Sequence, residues 1–247
     1  MNPFFILFAL ITLISVLISG ALLLMRRKGG GRWRDREHIQ PSLFSFFTTL
    51  YAFFIGFAIV TLWSAFLTAK TNVTREADSL MVVYRTAKHL PGSEPFRQAL
   101  ASYVKTVIDV EWGAMQKGAM SPEASRRFED IWSRFYELVG DPNKSGELYG
   151  SLTEAGRHRS SRASTLQGNL YPPVWMILMF GLVSVVFGLY FINREPSLVS
   201  LIYEFMIIFL VLACLYFIFD IDTPFSGLIT VKPEAFRIVY LKMLSLL

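Results

Sequence analysis

Four stretches of this chain are so long and so apolar that they leave little freedom in what it can fold into. Phe4–Met25, Leu43–Ala69 and Val174–Ile192 carry no charged residue, and Leu198–Phe219 carries one, Glu204. Crossing the roughly 30 Å hydrocarbon core of a bilayer takes about 20 apolar residues in a helix. Each run meets that length. Lipid offers the backbone no hydrogen-bonding partner, so a single spanning segment must satisfy its own N–H and C=O groups, which a helix does. The composition agrees. Of 247 residues 53% are hydrophobic, 22 are Phe and only 17% are charged, against about 25% charged in ordinary soluble domains. The chain is expected to be a multi-pass protein of the cell inner membrane.

The flanks of these runs refine that expectation. A cleavable leader carries basic residues before its apolar stretch. Here Met1-Asn2-Pro3 is uncharged and Arg26-Arg27-Lys28 follow the run, which predicts a retained anchor. The cluster "RRKGGGRWRDREH" holds six Arg and Lys between two spans, where basic residues set orientation or meet anionic head groups. It therefore argues against a nucleic-acid partner. The positive-inside bias of this connector sends the section between the second and third spans out of the cytoplasm. Lys70, Arg75, Arg157, Arg159, Arg162, Lys232, Arg237 and Lys242 flank the other side and blunt that signal. The single cysteine, Cys214, excludes an intrachain disulfide.

The polar section 70–170 reads as helices. Val73, Ala77, Leu80, Met81, Tyr84 and Ala87 make a stripe ended by Pro91-Gly92; Phe96, Leu100, Tyr103, Val104 and Val107 make a second, closing near Gly118. A third opens at Ser121-Pro122, an N-cap followed by proline at the first helical position. It runs through Phe128, Ile131, Trp132, Phe135 and Leu138 to Gly140-Asp141-Pro142. A fourth uses Leu148, Leu152 and Ala155 before turning basic. Sustained alternation of the strand type is absent. The expected fold is all-α, with four transmembrane helices and a soluble helical bundle inserted between the second and third. The division is 1–69, 70–170, 171–220 and 221–247. No turn signal separates Trp63 from Arg75, so the second span should continue into the first stripe as one long helix that couples bundle and membrane. In 221–247, Phe236, Val239, Tyr240 and Met243 share one side of a short helix, which lies on the lipid interface or packs on the bundle.

Catalytic signatures are scarce, and no enzyme, cofactor or metal site is expected. His38, His89 and His158 lack metal-ligand spacing, "GGGRWR" lacks the Gly-Lys-Ser/Thr ending of a phosphate loop, and the patterns at Asn72 and Asn143 are too common to use. The spans say more. Glu204 lies inside an apolar run, where an ionised group must face protein or water. It is either a functional acid on a polar path, a head-group residue, or a structural partner of Arg194. On the second span Ala52, Gly56, Val60 and Ser64 recur every four residues, a small stripe that permits close helix approach. Phe53 and Phe57 with Val60 form the adjoining ridge. It is packing or lipid-facing surface or, with several copies around an axis, a constriction that gates by dewetting. Gly181, Ser184 and Gly188 share a face of the third span, which packing explains. Asp220 and Asp222 in "FIFDIDTPFSG" either serve the turn, Asp222 capping it while Pro224 stops the helix, or ring a pore mouth in an oligomer.

Several phrases together resemble the bestrophin-like family of bacterial membrane proteins: "READSLMVVYRTAKHLP" (75–91), "YVKTVIDVEWGAM" (103–115), "RHRSSR" followed by "LYPPVW" (157–175), and "DTPFSGLITVKPEAF" (222–236). The pattern falls on Glu76, Arg85, Glu111, Trp112, Arg159, Arg162, Pro173, Trp175, Asp222, Pro224, Phe225 and Gly227. Gly113 departs from it, since the family usually has proline there. The resemblance implies a subunit like that of the pentameric bestrophin anion channels, with four spans and a helical cytosolic region between the second and third. That places the bundle inside the cell, against the charge bias of the connector. The consecutive acidic residues by which bestrophins hold calcium are missing here. The expected function is a homo-oligomeric channel for inorganic ions, embedded in membrane lipid, its path lined by the second span. The rival is a non-conducting sensor or scaffold whose bundle binds a partner.

Overall fold

The computed structural model describes residues 3–28, 41–140, 145–192 and 197–246. Among them the regular elements are helical, with no strand. The connector beyond Lys28 (His38 included), the Asp141-Pro142 stop, the Asn143 pattern and Arg194 lie outside the described residues. The chain divides into two compact units, Met1–Trp63 with Leu170–Asp222, and Ser64–Asn169 with Thr223–Leu247.

The first unit contains α1 (Pro3–Lys28), the first part of α2 (Pro41–Ala87), α7 (Pro172–Ile192) and α8 (Leu198–Asp222). All four helices are long and apolar enough to cross a membrane. Their surfaces are apolar all round: Phe5, Phe53, Phe180 and Leu210 are each more than 60% exposed, as suits helices bathed in lipid. Aromatic contacts join the helices, with Phe8 on Phe209 at 5.3 Å, Trp63 on Phe217 at 6.4 Å and Trp175 on Phe219 at 6.2 Å between ring centroids.

Against α7, α2 packs through missing side chains. A Cβ at Gly181 would lie 2.1 Å from Cε2 of Tyr51, and one at Gly188 would lie 2.1 Å from Cε2 of Phe44. The Tyr51 ring cannot swing freely, because its hydroxyl donates to the Leu178 carbonyl at 2.8 Å. Gly181→Ala should therefore overpack this contact at a cost of about 1–3 kcal/mol. Gly56→Ala, where nothing lies within 4 Å, should leave the subunit's own packing unchanged. Thermal unfolding of both variants in detergent checks the contrast, and equal midpoints would refute it.

The second unit takes the rest of α2 with α3 (Glu94–Thr106), a π-helical turn (Val107–Glu111), α4 (Trp112–Met115), α5 (Pro122–Val139), α6 (Gly146–Ser164) and α9 (Glu234–Leu244). As expected, α2 is one helix of 47 residues. The third stripe begins and ends at its sequence signals: the Ala124 N–H donates to Ser121 Oγ at 3.4 Å, and Gly140 takes a positive φ of 70° that only glycine adopts cheaply. The stripes meet in one core, with Leu80, Tyr84, Leu100, Tyr103, Ile131, Phe135, Leu152 and Phe236 wholly buried. Phe236, Val239 and Met243 are buried too, and the Met243 carbonyl accepts from the Tyr84 hydroxyl at 3.1 Å. Of the two readings of α9, packing on the bundle is the one the structure adopts for that face.

Candidate functional site

The apolar stripes of the second unit contain charged residues in register. Glu76 stands among Val73, Ala77 and Leu80. Arg159 and Arg162 continue Leu148, Leu152 and Ala155 at steps of four and three, and Glu111 follows Val107 by four. Their positions on the helices turn them inward. Steps of four drift by roughly 40° on an α-helix, and the π turn before Trp112, whose N–H reaches back to the Val107 carbonyl, widens the helix there. Glu111 and Met115 thereby stay on the buried side with Tyr103 and Val107.

These residues close into one ion cluster. Arg162 embraces Glu76 with two bonds, Nε to Oε2 at 2.8 Å and Nη2 to Oε1 at 3.0 Å. Its Nη1 lies 2.6 Å from Glu111 Oε1 and 2.8 Å from Met115 Sδ. Arg159 Nη1 donates to both Glu111 oxygens at 2.8 and 3.1 Å, and its Nη2 to Ser125 Oγ at 2.9 Å. The Tyr103 hydroxyl donates to Glu76 Oε1 at 2.7 Å. Aromatic faces complete the shell: Trp112 and Phe236 lie 5.9 and 5.7 Å from the Arg162 guanidinium, Tyr103 and Phe128 5.7 and 5.6 Å from that of Arg159.

Glu76, Glu111 and Arg162 are wholly buried, so the electrostatics are those of a low-dielectric interior. Two carboxylates balance two guanidinium groups. Burial alone would favour loss of the Arg162 charge, but the Glu76 and Glu111 carboxylates outweigh it and hold its pKa above the ordinary value. Arg159 is shifted the same way, burial opposing and Glu111 prevailing. Burial, then the neighbouring Glu76, raises the Tyr103 phenol well above its usual range, which keeps it a donor. Every carboxylate here already accepts strong bonds. The cluster is therefore suited to fixing helices against one another rather than to acid–base chemistry.

The other family-pattern residues divide between structural contacts and the surface. In the first unit, Asp222 accepts from the Leu170 N–H at 2.8 Å and holds the approach to α7; in the second, Thr223 Oγ1 accepts from the Ser226 hydroxyl at 2.7 Å. Asp220 accepts from the Tyr216 hydroxyl at 3.3 Å, and both aspartates are buried in the subunit. Trp175 meets Phe219, and Pro173 sits exposed in the first turn of α7. In the second unit, the Pro224 carbonyl accepts from the Val231 N–H at 2.9 Å, Phe225 abuts Trp112 at 5.8 Å, and Gly227 turns the chain at φ 93°. Arg85 is exposed, and Gly113 sits in α4 with nothing within 4 Å of an added Cβ.

Glu204 is paired inside the first unit. It is 2% exposed, and its Oε2 lies 2.8 Å from Nη1 of Arg26, equally buried. Arg26 also donates to the carbonyls of Leu189 and Tyr190, at 2.8 and 3.5 Å. These belong to the last turn of α7, whose carbonyls have no partner further along the helix. In the sequence Arg26 stands in a basic connector, and its pairing with Glu204 across helices carries no local signal.

The pore candidates share one surface of α2. Tyr51, Ile55, Ala58 and Leu62 are buried against the unit, while Phe53, Phe57 and Val60 are 67%, 64% and 69% exposed on the far side. Ala52, Gly56 and Ser64 are exposed as well. At 3.6 residues per turn, Phe53, Val60 and Ser64 point away from the buried face, with Gly56 and Phe57 beside them.

A bestrophin-like domain matches residues 12–236. The chain belongs to the bestrophin-like family. Among curated proteins no sequence matches it. Among solved structures, a bacterial bestrophin homologue from Klebsiella pneumoniae aligns over 96% of this chain and 97% of its own, at 13% identity and a TM-score of 0.72. Two point variants of that homologue align over 98% and 99% of their length at 12% identity, with TM-scores of 0.71 and 0.73. At such identity the likeness is one of fold. This bestrophin-like chain shares the all-α architecture of those structures and is a multi-pass membrane protein.

Proposed function

We propose that this bestrophin-like protein is a homo-oligomeric ion channel of the inner membrane, with α2 lining the path. One observation carries the reading: the α2 face bearing Phe53, Gly56, Phe57, Val60 and Ser64 is left uncovered by its own subunit, opposite the face that packs. Copies of this helix around an axis would approach closely along Ala52, Gly56 and Ser64 and bring Phe53, Phe57 and Val60 into a constriction that opens and closes by wetting. Family membership supports the assignment, and five subunits follow from the bestrophin analogy. We assign Asp220 and Asp222 to the turn and the start of α7 rather than to a pore mouth, and Glu204 to the ion pair with Arg26.

Purified oligomers in planar bilayers should carry current, and Phe57→Ala should enlarge it several-fold at equal protein by widening the apolar neck. Silent bilayers from well-folded oligomers would overturn the channel reading and leave the sensor or scaffold.

A further inference from the structure

We propose that the second unit holds a binding site for the phosphate group of an anionic phospholipid, in a cleft of about 350 Å³ between α2 and the segment before α9. Phe66, Lys70 and Val73 recur at steps of four and three on one face of α2, and Thr230, Val231 and Lys232 stand opposite them. The inference is independent of whether the oligomer conducts.

The chemistry of the walls decides the ligand class. Phe66, Val73 and Val231 are 7%, 2% and 4% exposed and give the cleft an apolar floor. Val231 is fixed at both ends of its peptide: its N–H donates to the Pro224 carbonyl at 2.9 Å, and its carbonyl accepts from Trp112 Nε1 at 3.3 Å. With Val231 turned inward, burial alternates along the segment and Lys232 is left exposed on the cleft. Lys70, across from it, is exposed too. Among the described residues no carboxylate lies within ion-pair distance of either lysine, whereas the one acid on the lining, Glu234, has Arg237 at 3.7 Å. Two uncompensated ammonium groups above an apolar floor suit an anion carried on an apolar body. A free phosphate would leave the floor unused.

Sequence position points to the same source. Lys70 is the first charged residue after the uncharged run 43–69, where the span emerges into the head-group region. Basic residues there are attracted to anionic lipid. A volume of this size holds a head group and the first carbons of its chains, at the low end of ordinary ligand pockets.

The test uses the full-length protein in detergent, titrated with phosphatidylglycerol or phosphatidylcholine and read by native mass spectrometry. Lys70→Gln combined with Lys232→Gln should weaken phosphatidylglycerol retention at least about 10-fold and leave phosphatidylcholine retention unchanged. Each single replacement should give part of the loss, and Lys242→Gln, outside the cleft, none. These positions are exposed, so loss of fold is not the expected route, and Lys70→Arg with Lys232→Arg should preserve binding. Unchanged phosphatidylglycerol retention, or an equal fall for both lipids, would overturn the proposal. So would displacement by excess inorganic phosphate with no preference between the lipids, which would identify a free-anion site.

Discussion

Glu76→Gln is expected to lower the thermal midpoint of the full-length protein in detergent by roughly 10 °C. The reason is charge, not shape. Glutamine nearly preserves the volume, but it leaves two buried arginines facing one carboxylate. Arg162 keeps at most one bond, to the amide oxygen, in place of its bidentate ion pair, and Glu111, already held by Arg159 at 2.8 Å, must serve both. Breaking a buried ion pair from one side costs about 3–5 kcal/mol, because the remaining charge stays out of water without compensation. Removing both charges is a different experiment. Glu76→Met with Arg162→Met leaves Glu111 with Arg159, a neutral pair, and fills the space with apolar atoms. It should recover most of the loss, apart from the Tyr103 hydroxyl, which forfeits its acceptor. If the single variant unfolds no earlier than the double, stranded charge is not what holds this unit together.

The second large effect is expected at the other buried pair. Glu204→Gln strands the Arg26 guanidinium among helices and should again cost about 3–5 kcal/mol, seen as a lower unfolding midpoint and a smaller yield of oligomer. Arg26 would keep the Leu189 and Tyr190 carbonyls, so the ends of α1 and α7 should stay near each other while the contact of α1 with α8 loosens. On the channel reading proposed above, the consequence for conduction is specific. Any loss of current in Glu204→Gln should track the amount of folded oligomer, with selectivity unchanged, whereas Phe57→Ala should change current at full stability. A shift in ion selectivity in stable Glu204→Gln oligomers would return this acid to the conduction path.

Both effects concern residues whose partners were hidden in the sequence to different degrees. Glu76, Arg159 and Arg162 sit in register with apolar stripes, so their inward direction was legible from spacing once the stripes were drawn. The resemblance of the motif phrases drew attention to the same positions. Which acid met which base was not legible, nor was the π turn that keeps Glu111 on the buried side, because one extra residue in a helical turn leaves no compositional mark. Arg26 was harder still. It stands in a run of basic residues that reads as an orientation signal, and only the packing of α1 on α8 turns it towards Glu204. Asp222 is similar: its partner at Leu170 left no mark in the sequence.

Residue order and composition alone are enough to establish the four apolar spans, the helical class, and helix ends such as Ser121 and Gly140. These follow from local requirements: backbone groups in lipid must be satisfied within the segment, and a cap must lie within a turn of what it caps. Packing in three dimensions is what brings Arg26 to Glu204 across 178 positions, Arg162 to Glu76 across 86, and Asp222 to Leu170 across 52. Ion pairing and close packing fall off with distance in space, and the order of residues along a chain does not carry that distance.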